Sequence, residues 1–484
     1  MKERSYGSEA EYVSSLGSDE ELPEYGTSLL TPDGGRFYKD MEYGEYSTPE
    51  TRTPGELVIR EWAGQGFVLG HTKGSIYKTS ATRLVYKGHG AGHQEEVSHG
   101  HHTNYSVSLG YDGKAMEIFM LDRNNHPSHG TEVLDFFLAI SPPLYGSGHI
   151  DLKGDYRVSK RHGFVTLDSG RRTIKDSSVF YINSGKGGIE TCIAFMKGSH
   201  GKEDRLQIAV QDALMSQRQR CLSVAVTSLV LDLIEDGLAD IRADYGEILR
   251  IFHELPYSYD NFGSFKMDAI VDGKNTKMTL PEAQMYFTER AASRTHNTPV
   301  IRKWQHLVEA LKSGDYMELR REYDWATKLW WFGEMKEKSK RDPTGRMREQ
   351  EMLYHKLDRE GERESVYDKL ADAGYVDVMF KNMEQSGSYP PKSRARGRVL
   401  AARYGLRPDF GSWRKSLAID AKATAETKKI EMPHPWPTYE TEVKDFAAAN
   451  RLKPADILAL PLGDEAEQEN ASRDRELWGY GSAY

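Results

Sequence analysis

Two stretches near the start of the chain decide its fold, GSEAEY at residues 7–12 and GGRFYKDMEYGEYSTPE at residues 34–50. Both alternate in the manner of β-strands, in which successive side chains point to opposite faces. Glu9 and Glu11 therefore share a face of the first strand. Arg36, Tyr38 and Asp40 share a face of the second. The pattern predicts neighbouring strands that carry rows of acidic side chains.

These rows of carboxylates have two interpretations. Acidic side chains that converge from adjacent strands repel one another unless a cation lies between them. Mg²⁺ prefers oxygen ligands and is commonly held by carboxylates together with nucleotide phosphates, so the rows are consistent with a nucleotide site. A solvated strand face would also produce alternating Glu residues. Spacing alone leaves both interpretations open.

The rest of the chain is mainly helical in pattern. Residues 206–210 are typical of a buried strand, and residues 226–234 keep the spacing of an amphipathic helix. Helical patterns predominate from 280 to 384. A Pro-rich segment at 432–437 and a short helical pattern at 441–449 indicate a small C-terminal domain. The sequence therefore predicts an α+β protein.

Composition excludes several classes of protein. The 484 residues include 65 Lys and Arg against 73 Asp and Glu, and a net charge of -8 gives no general attraction to nucleic acid. The longest candidate for a membrane span, residues 222–234, has 13 residues and contains Asp232, whereas a span needs about 20 apolar residues. Two cysteines and a polar N-terminus predict a cytoplasmic location.

Further motifs follow in the same order along the chain as those of a known family. They are SHGHHTNY at 98–105, RLQIAVQDALMS at 205–216, TSLVLDLIEDG at 227–237, YDWATKL at 323–329, YHKL at 354–357, PPKSRARGR at 390–398, and Trp413. Together with the two N-terminal stretches, the chain resembles the Pup ligase and depupylase family. The resemblance implies a glutamine-synthetase-like curved antiparallel sheet packed by helices. It also implies a catalytic domain at 1–410 and a small domain at 411–484 that closes on the nucleotide.

The same resemblance implies a set of site residues and two cofactors, ATP and Mg²⁺. Asp40 takes the position of the catalytic carboxylate. The metal ligands fall on Glu9, Tyr38 and Glu45, with Glu11 as a further candidate. The nucleotide contacts fall on Arg36, Thr48, Trp413, Arg394, Arg398, His102 and Asn104.

The family has two branches, and both imply Pup or a Pup-like protein and its lysine conjugates as partners. In a ligase, ATP phosphorylates a C-terminal Glu side chain of Pup and a substrate lysine attacks it. In a depupylase, the same site hydrolyses that isopeptide bond or deamidates a C-terminal Gln. The five-position step from Asp40 to Glu45, together with STPE at 47–50, favours the depupylase. Only 17 residues separate Tyr12 from Leu30, fewer than is usual in the family.

Two alternatives to these branches remain. One is a carboxylate-amine ligase with a substrate other than Pup. The other is a degenerate regulatory protein that binds nucleotide without turnover, against which the retention of Glu9, Asp40 and Glu45 argues.

Several departures from the family pattern affect the predicted metal site. Tyr43-Gly44 replaces His-Pro, Thr103 stands in place of a Glu, and Gln207 in place of a His. Neutral Thr and Gln oxygens bind Mg²⁺ less well than carboxylates do, so a second metal position is predicted to be weakened.

Two clusters carry competing interpretations. The histidines at 89, 93, 99, 101 and 102 could bind zinc, but a Gly-rich stretch without cysteine favours a loop at the edge of the nucleotide. The basic run at 392–407 is either a solvated helix face or, at Arg394 and Arg398, part of the nucleotide site.

Overall fold

The computed structural model describes residues 4–14, 28–40, 43–78, 83–85, 94–96, 101–108, 119, 128–167, 180–183, 189–196, 203–294, 298–379, 390–404, 406–409, 416–420, 429–432 and 437–452. The strands are β1 Tyr6–Ser14, β2 Ser28–Leu30, β3 Arg36–Asp40, β4 Tyr43–Ser47, β5 Ile76–Lys78, β6 Arg83–Val85, β7 Gln94–Glu96, β8 His101–Ser108, β9 His149–Ile150, β10 Tyr156–Arg157, β11 Val165–Leu167, β12 Phe180–Asn183, β13 Ile189–Thr191, β14 Ile193–Met196, β15 Glu203–Ile208, β16 Ile241–Arg242, β17 Lys266–Val271, β18 Lys274–Thr279, β19 Lys356–Leu357, β20 Leu406–Asp409, β21 Ser416–Asp420 and β22 Lys429–Met432.

The α-helices are α1 Pro54–His71, α2 His129–Ala139, α3 Pro142–Tyr145, α4 Gln217–Glu235, α5 Tyr245–Glu254, α6 Leu280–Arg294, α7 Thr298–Ser313, α8 Asp324–Lys338, α9 Thr344–Tyr354, α10 Val366–Asp372, α11 Arg394–Arg403 and α12 Glu440–Ala449. Short 3₁₀ helices cover Arg161–Phe164, Leu255–Tyr257, Tyr259–Ser264 and Leu319–Arg321. Among the helices in the described ranges, none combines the length and the apolar composition that crossing a bilayer requires.

The largest sheet has nine strands within the described ranges. Its order is β14-β15-β8-β1-β4-β3-β2, with β5 paired to β1 and β19 paired to β5. Every one of these pairs is antiparallel. An antiparallel sheet can bury one face and leave the other for a solvated site. The predicted α+β architecture, an antiparallel sheet packed by helices, is confirmed.

One face of this sheet packs against helices α1 and α4. Ala10, Phe37 and Tyr46 share a buried cluster with Val68 of α1. Gly64 makes the close approach possible, because a Cβ atom built there would lie 2.1 Å from Cε1 of Tyr46. The helices therefore press on β1, β3 and β4 from behind, and the opposite face of those strands is left for the site.

Several elements expected from the sequence are present. Strand β15 covers the start of the predicted strand at 206–210, and α4 contains the predicted helix at 226–234. Gly237 follows α4 with φ +66°, a left-handed conformation that glycine adopts without steric penalty. Helix α12 matches the pattern at 441–449.

The C-terminal elements have a hydrophobic cluster of their own. It contains Leu400, Leu406, Ile430, Met432 and Val443, contributed by α11, β20, β22 and α12. Strands β20, β21 and β22 form one antiparallel sheet. The predicted boundary between residues 410 and 411 falls between β20 and β21, inside this sheet, and it stays a prediction.

Candidate active site

The register of the nine-stranded sheet gathers the predicted site residues on one face, here called the site face. Residues directly opposite one another in an antiparallel pair share a face. Glu11 and Tyr38 both lie opposite Glu45. Glu9 lies opposite Ser47 on one side and His102 on the other. Strands that are far apart in sequence thus bring their polar side chains together.

Glu9 lies at the centre of the site face with its carboxylate fully engaged. Arg205 Nη2 donates to Glu9 Oε1 and Gln207 Nε2 donates to Oε2, both over 2.8 Å. Asn104 Nδ2 donates to Oε1 over 3.3 Å, and His102 Nδ1 lies 3.3 Å from Oε2. Burial alone would raise the pKa of Glu9, but the charge of Arg205 and the contact with His102 lower it to about 2. Glu9 is therefore ionised at neutral pH.

Glu45 is buried on the same face and behaves in the opposite way. Burial and then the negative charge of Glu9 raise its pKa well above the ordinary value. Tyr38 donates its hydroxyl hydrogen to Glu45 Oε1. The guanidinium carbon of Arg36 lies 3.7 Å from the centre of the Tyr38 ring. Arg36, Tyr38 and Glu45 thus form one contact chain beside Glu9.

The donor chemistry of the site face fits a hard cation such as Mg²⁺. The carboxylates of Glu9 and Glu45 and the phenol of Tyr38 supply oxygen ligands, which is the set that Mg²⁺ prefers. The raised pKa of Glu45 marks a buried carboxyl group that a cation would ionise. Within the described ranges, no three His, Cys, Asp or Glu side chains are already arranged as a metal cluster. Both oxygens of Glu9 already accept hydrogen bonds, so a cation that bound Glu9 would displace some of these donors.

Three further predicted site residues, Asp40, Thr48 and Trp413, are not tested by the contacts of the site face. Asp40 ends β3 opposite Tyr43, and its side chain lies outside the described part of the chain, as does the whole of Trp413. Thr48 Oγ1 accepts a hydrogen bond from the backbone N–H of Ser8 over 2.9 Å, which ties β1 to the end of β4. Asp40, Thr48 and Trp413 stay predictions as site residues.

Arg394 and Arg398 both contact the carboxylate of Glu50, which follows β4. Both donate to the buried side chain of Glu50, Arg394 Nε over 2.7 Å and Arg398 Nη2 over 2.8 Å. Burial alone would raise the pKa of Glu50, but Arg394 and then Arg398 hold it well below the ordinary value. Their predicted contact with nucleotide stays a prediction.

Thr103, which was expected beside the metal, lies on the other face of the sheet. Adjacent residues of a strand point to opposite faces, so Thr103 lies behind the sheet while His102 and Asn104 lie on the site face. Thr103 Oγ1 donates to Gln211 over 2.7 Å and accepts from Arg220 over 2.8 Å. Of the two substituted positions, only Gln207 lies on the site face, where its side chain donates to Glu9.

The two described histidines of the 89–102 segment, His101 and His102, lie on opposite faces of the sheet. His101 lies behind the sheet, where its Nε2 is 3.3 Å from Glu61 of α1, and burial lowers its pKa to about 3. His102 faces Glu9. The other three positions, 89, 93 and 99, lie outside the described residues.

A sequence model of the Pup-ligase protein family matches residues 3–413, most of the chain. The chain belongs to the Pup-ligase family. Among its curated relatives, the Pup deamidase/depupylase of Mycolicibacterium smegmatis is 25% identical over 317 residues. The aligned region covers 62% of this chain and 57% of that protein. The Pup--protein ligase of Rothia mucilaginosa is 22% identical over 486 residues, covering 92% and 90%. Relatives of both branches therefore match.

Solved structures from the Pup-ligase family show the same fold. The Pup ligase PafA in complex with Pup superposes with a TM-score of 0.70 at 18% identity, covering 100% of this chain and 98% of that one. PafA in complex with ADP gives a TM-score of 0.66 at 20% identity, covering 89% and 92%. The expected family fold is confirmed.

Three residues that contact the site residues or hold the sheet and its helices together were not identified from the sequence. Arg205 shares a strand face with Gln207 two positions later, so the period-two pattern that located Glu9 and Glu11 could have found it. Glu50 ends the STPE motif, but only the folded chain shows that two arginines meet it. Arg220 lies on a helix, and its contact with Glu61 joins residues 159 positions apart.

Proposed function

We propose that this chain is an enzyme that uses ATP and Mg²⁺ to act on the side-chain carboxyl or amide of a Glu or Gln residue, as in the Pup system. The observation that carries the proposal is the site face itself. Glu9, Glu45 and Tyr38 place oxygen atoms on one side of the sheet, with Arg36 against Tyr38. Such a set suits a cation and phosphates.

Each residue has a role that its chemistry supports. Glu9 and Glu45, with Tyr38 and Glu11 beside them, would hold Mg²⁺, which when bound neutralises charge on phosphate oxygens. Arg36 would offer its planar fork to a phosphate. Arg205 and Gln207 orient the carboxylate of Glu9.

His102, Asn104 and Thr48 would contribute polar contacts to the nucleotide, and Trp413 is a further proposed contact. For Arg394 and Arg398 the resemblance implies a direct nucleotide contact, which would require both side chains to give up their present pairing with Glu50. Asn104 already accepts from Arg205 Nε over 2.6 Å, so its amide is held in a fixed orientation.

The proposed direction is hydrolysis of an isopeptide bond or of a Gln amide. Asp40 would either attack the carbonyl carbon or remove a proton from a water that attacks it. In the first route the C–N bond breaks, the lysine amine or ammonia leaves with a proton from solvent, and water then hydrolyses the resulting anhydride to free Asp40 and a Glu carboxyl. In the second route Asp40 passes the proton from water to the leaving amine as the C–N bond breaks. The alternative direction is ligation. The γ-phosphoryl group of ATP would then pass to a Glu carboxyl, the lysine amine would displace phosphate, and Asp40 would accept the amine proton.

Pup or a Pup-like small protein, and its lysine conjugates, are the proposed partners, and the cytoplasm is the proposed location. Curated relatives and a solved relative carry Pup in their names. A carboxylate-amine ligase with another substrate uses the same site residues and differs only in the partner.

The test is to mix the purified protein with ATP, Mg²⁺ and either a Pup conjugate or Pup with a carrier lysine. Release of free Pup without net ATP consumption supports the hydrolase. ADP formation that requires both the carboxylate and the amine supports the ligase. Absence of both reactions, with a small-molecule carboxylate and amine also inert, would refute the proposed enzyme.

A nucleotide-binding protein without turnover is the second candidate. The engagement of both oxygens of Glu9 by Arg205 and Gln207 favours it, because these donors compete with a metal. Replacing Gln207 by Glu removes a donor that competes with a metal and adds a carboxylate beside Glu9, so it should strengthen Mg²⁺ binding. A gain of Mg²⁺-dependent ATP turnover in Gln207→Glu, from an inactive parent, would support this candidate.

A further inference from the structure

Both ends of the hairpin that carries the site are held by one arginine of α11. Arg398 Nη2 donates to the carbonyl oxygen of Gly34, two positions before β3, over 3.0 Å. The same nitrogen donates to Oε2 of Glu50, three positions after β4, over 2.8 Å. Arg398 Nη1 also donates to Glu50 Oε1 over 3.1 Å. A planar guanidinium in this bidentate arrangement fixes direction as well as distance.

A second arginine connects the same carboxylate to the C-terminal sheet. Arg394 donates from Nε to Glu50 Oε1 and from Nη1 to the carbonyl oxygen of Met432 in β22, over 2.7 and 3.2 Å. The side chains of Glu50, Arg394 and Arg398 are 5 to 7% exposed. A buried charge of this kind is costly unless it is paired, so the three groups hold each other in place.

The backbone packing around α11 is equally close. Gly34 has φ +84°, and a Cβ atom built on it would lie 2.7 Å from Cβ of Ala395. A Cβ atom on Gly397 would lie 2.6 Å from the carbonyl oxygen of Thr438. Helix α11 therefore contacts the turn before β3 on one side and the segment before α12 on the other.

We propose that Arg394 and Arg398 are positioning residues, which with Glu50 clamp the β3–β4 hairpin to the C-terminal elements and so set the position of Arg36, Tyr38 and Glu45. The consequence for catalysis rests on the proposed function. The clamp itself rests on the contacts. Because of this clamp, a shift of the C-terminal elements would move Arg36, Tyr38 and Glu45 relative to the bound ligand.

The test is a double-mutant cycle between Glu50 and Arg398. Glu50→Gln and Arg398→Met should each speed amide hydrogen exchange in residues 36–47 by about tenfold or more, since each breaks hydrogen bonds to a buried charged group. The double variant should be little worse than the poorer single variant, because both remove the same interaction. Turnover should fall in both single variants, with kcat affected more than KM for ATP.

Arg396→Met is the matched control on the same helix. Arg396 is also buried, and it donates to the carbonyl oxygen of Pro390 over 3.4 Å. The changes in hydrogen exchange caused by Arg396→Met and Glu50→Gln should be additive in the double variant, because the two side chains belong to different contacts. Should Glu50→Gln or Arg398→Met fail to fold, Glu50→Asp and Arg398→Lys keep the charges while disturbing the fork, and the same cycle applies.

Two results would overturn the clamp. One is unchanged exchange in residues 36–47 of Glu50→Gln. The other is additivity of the Glu50 and Arg398 substitutions, with loss of ADP binding only in the arginine variants, which would place the arginines directly on nucleotide. Failure of the unaltered protein to bind ATP or ADP would refute the proposed function instead, and the exchange measurement would still decide the clamp.

Discussion

At the scale of single residues, Glu9 and Glu45 share the site face and yet have pKa values displaced in opposite directions. Arg205 and His102 favour the ionised form of Glu9, whereas burial and the charge of Glu9 favour the neutral form of Glu45. Two carboxyl groups that cannot easily ionise together are a recurrent arrangement for binding a cation. The chemistry of the site therefore depends on which charges stand beside each carboxyl.

The proposed catalytic role of Asp40 can be tested separately from the binding of Mg²⁺–ATP. Asp40→Asn removes the carboxylate but keeps the size of the side chain, so we expect turnover to fall at least about a hundredfold, as for loss of a general base. The affinity for Mg²⁺–ATP should change little. Activity measured with a Pup conjugate or with Pup and lysine checks this, and an active Asp40→Asn would remove Asp40 from the mechanism.

His162 gives the fold a dependence on pH that lies away from the site face. Its Nδ1 lies 2.7 Å from Ser159 Oγ and its Nε2 lies 3.0 Å from the carbonyl oxygen of Leu138. Burial lowers its pKa to about 4, although Asp212 opposes the shift. As the pH falls from the unfolded value of about 6.5 towards 4, the unfolded chain binds a proton that the native chain does not. Stability should therefore fall by up to about 1.4 kcal/mol per pH unit from this group.

Denaturant unfolding at pH 7 and pH 5 measures that dependence. In His162→Gln, the difference between the free energies of unfolding at pH 7 and at pH 5 should be smaller than in the unaltered protein. His129→Gln, at a half-exposed histidine, should keep it. Equal pH dependence in the unaltered chain and His162→Gln would contradict the assignment.

At the scale of elements, the period-two pattern predicted which residues of β1 and β3 share a face, and the register confirms it. The strand and helix at 203–235 were predicted in outline because their apolar patterns are regular. The contact of Arg394 and Arg398 with Glu50 was not predicted, because it joins residues more than 340 positions apart. Local spacing carries no information on such pairs.

The packing of α1 on β4 predicts opposite effects for two glycines of one helix. Gly64→Ala would place a methyl group in the ring of Tyr46, so we expect a loss of about 1–3 kcal/mol in the free energy of unfolding. Gly70→Ala meets no atom within 4 Å and should gain about 0.4–1 kcal/mol, because alanine costs less backbone entropy. Denaturant midpoints compare the two variants, and a Gly64→Ala as stable as Gly70→Ala would contradict the packing.

At the scale of the whole molecule, two sets of buried contacts join segments that lie far apart in the sequence. Near the N-terminus, Arg4 forms buried ion pairs with Asp232 and Glu235 at the end of α4. Near the C-terminus, α11 contacts the β3–β4 hairpin through Glu50. The family and its fold were predicted from colinear motifs, and the family match and the superposed structures confirm both.

The central claim is that the carboxylates of the site face hold Mg²⁺ against the phosphates of ATP. Calorimetric titration of ATP into the protein, with and without Mg²⁺, tests it most directly when repeated on Glu9→Gln and Glu45→Gln. We predict Mg²⁺-dependent binding by the unaltered protein and a loss of about tenfold or more in affinity in each variant. Equal affinity in all three proteins, or binding that ignores Mg²⁺, would contradict the account.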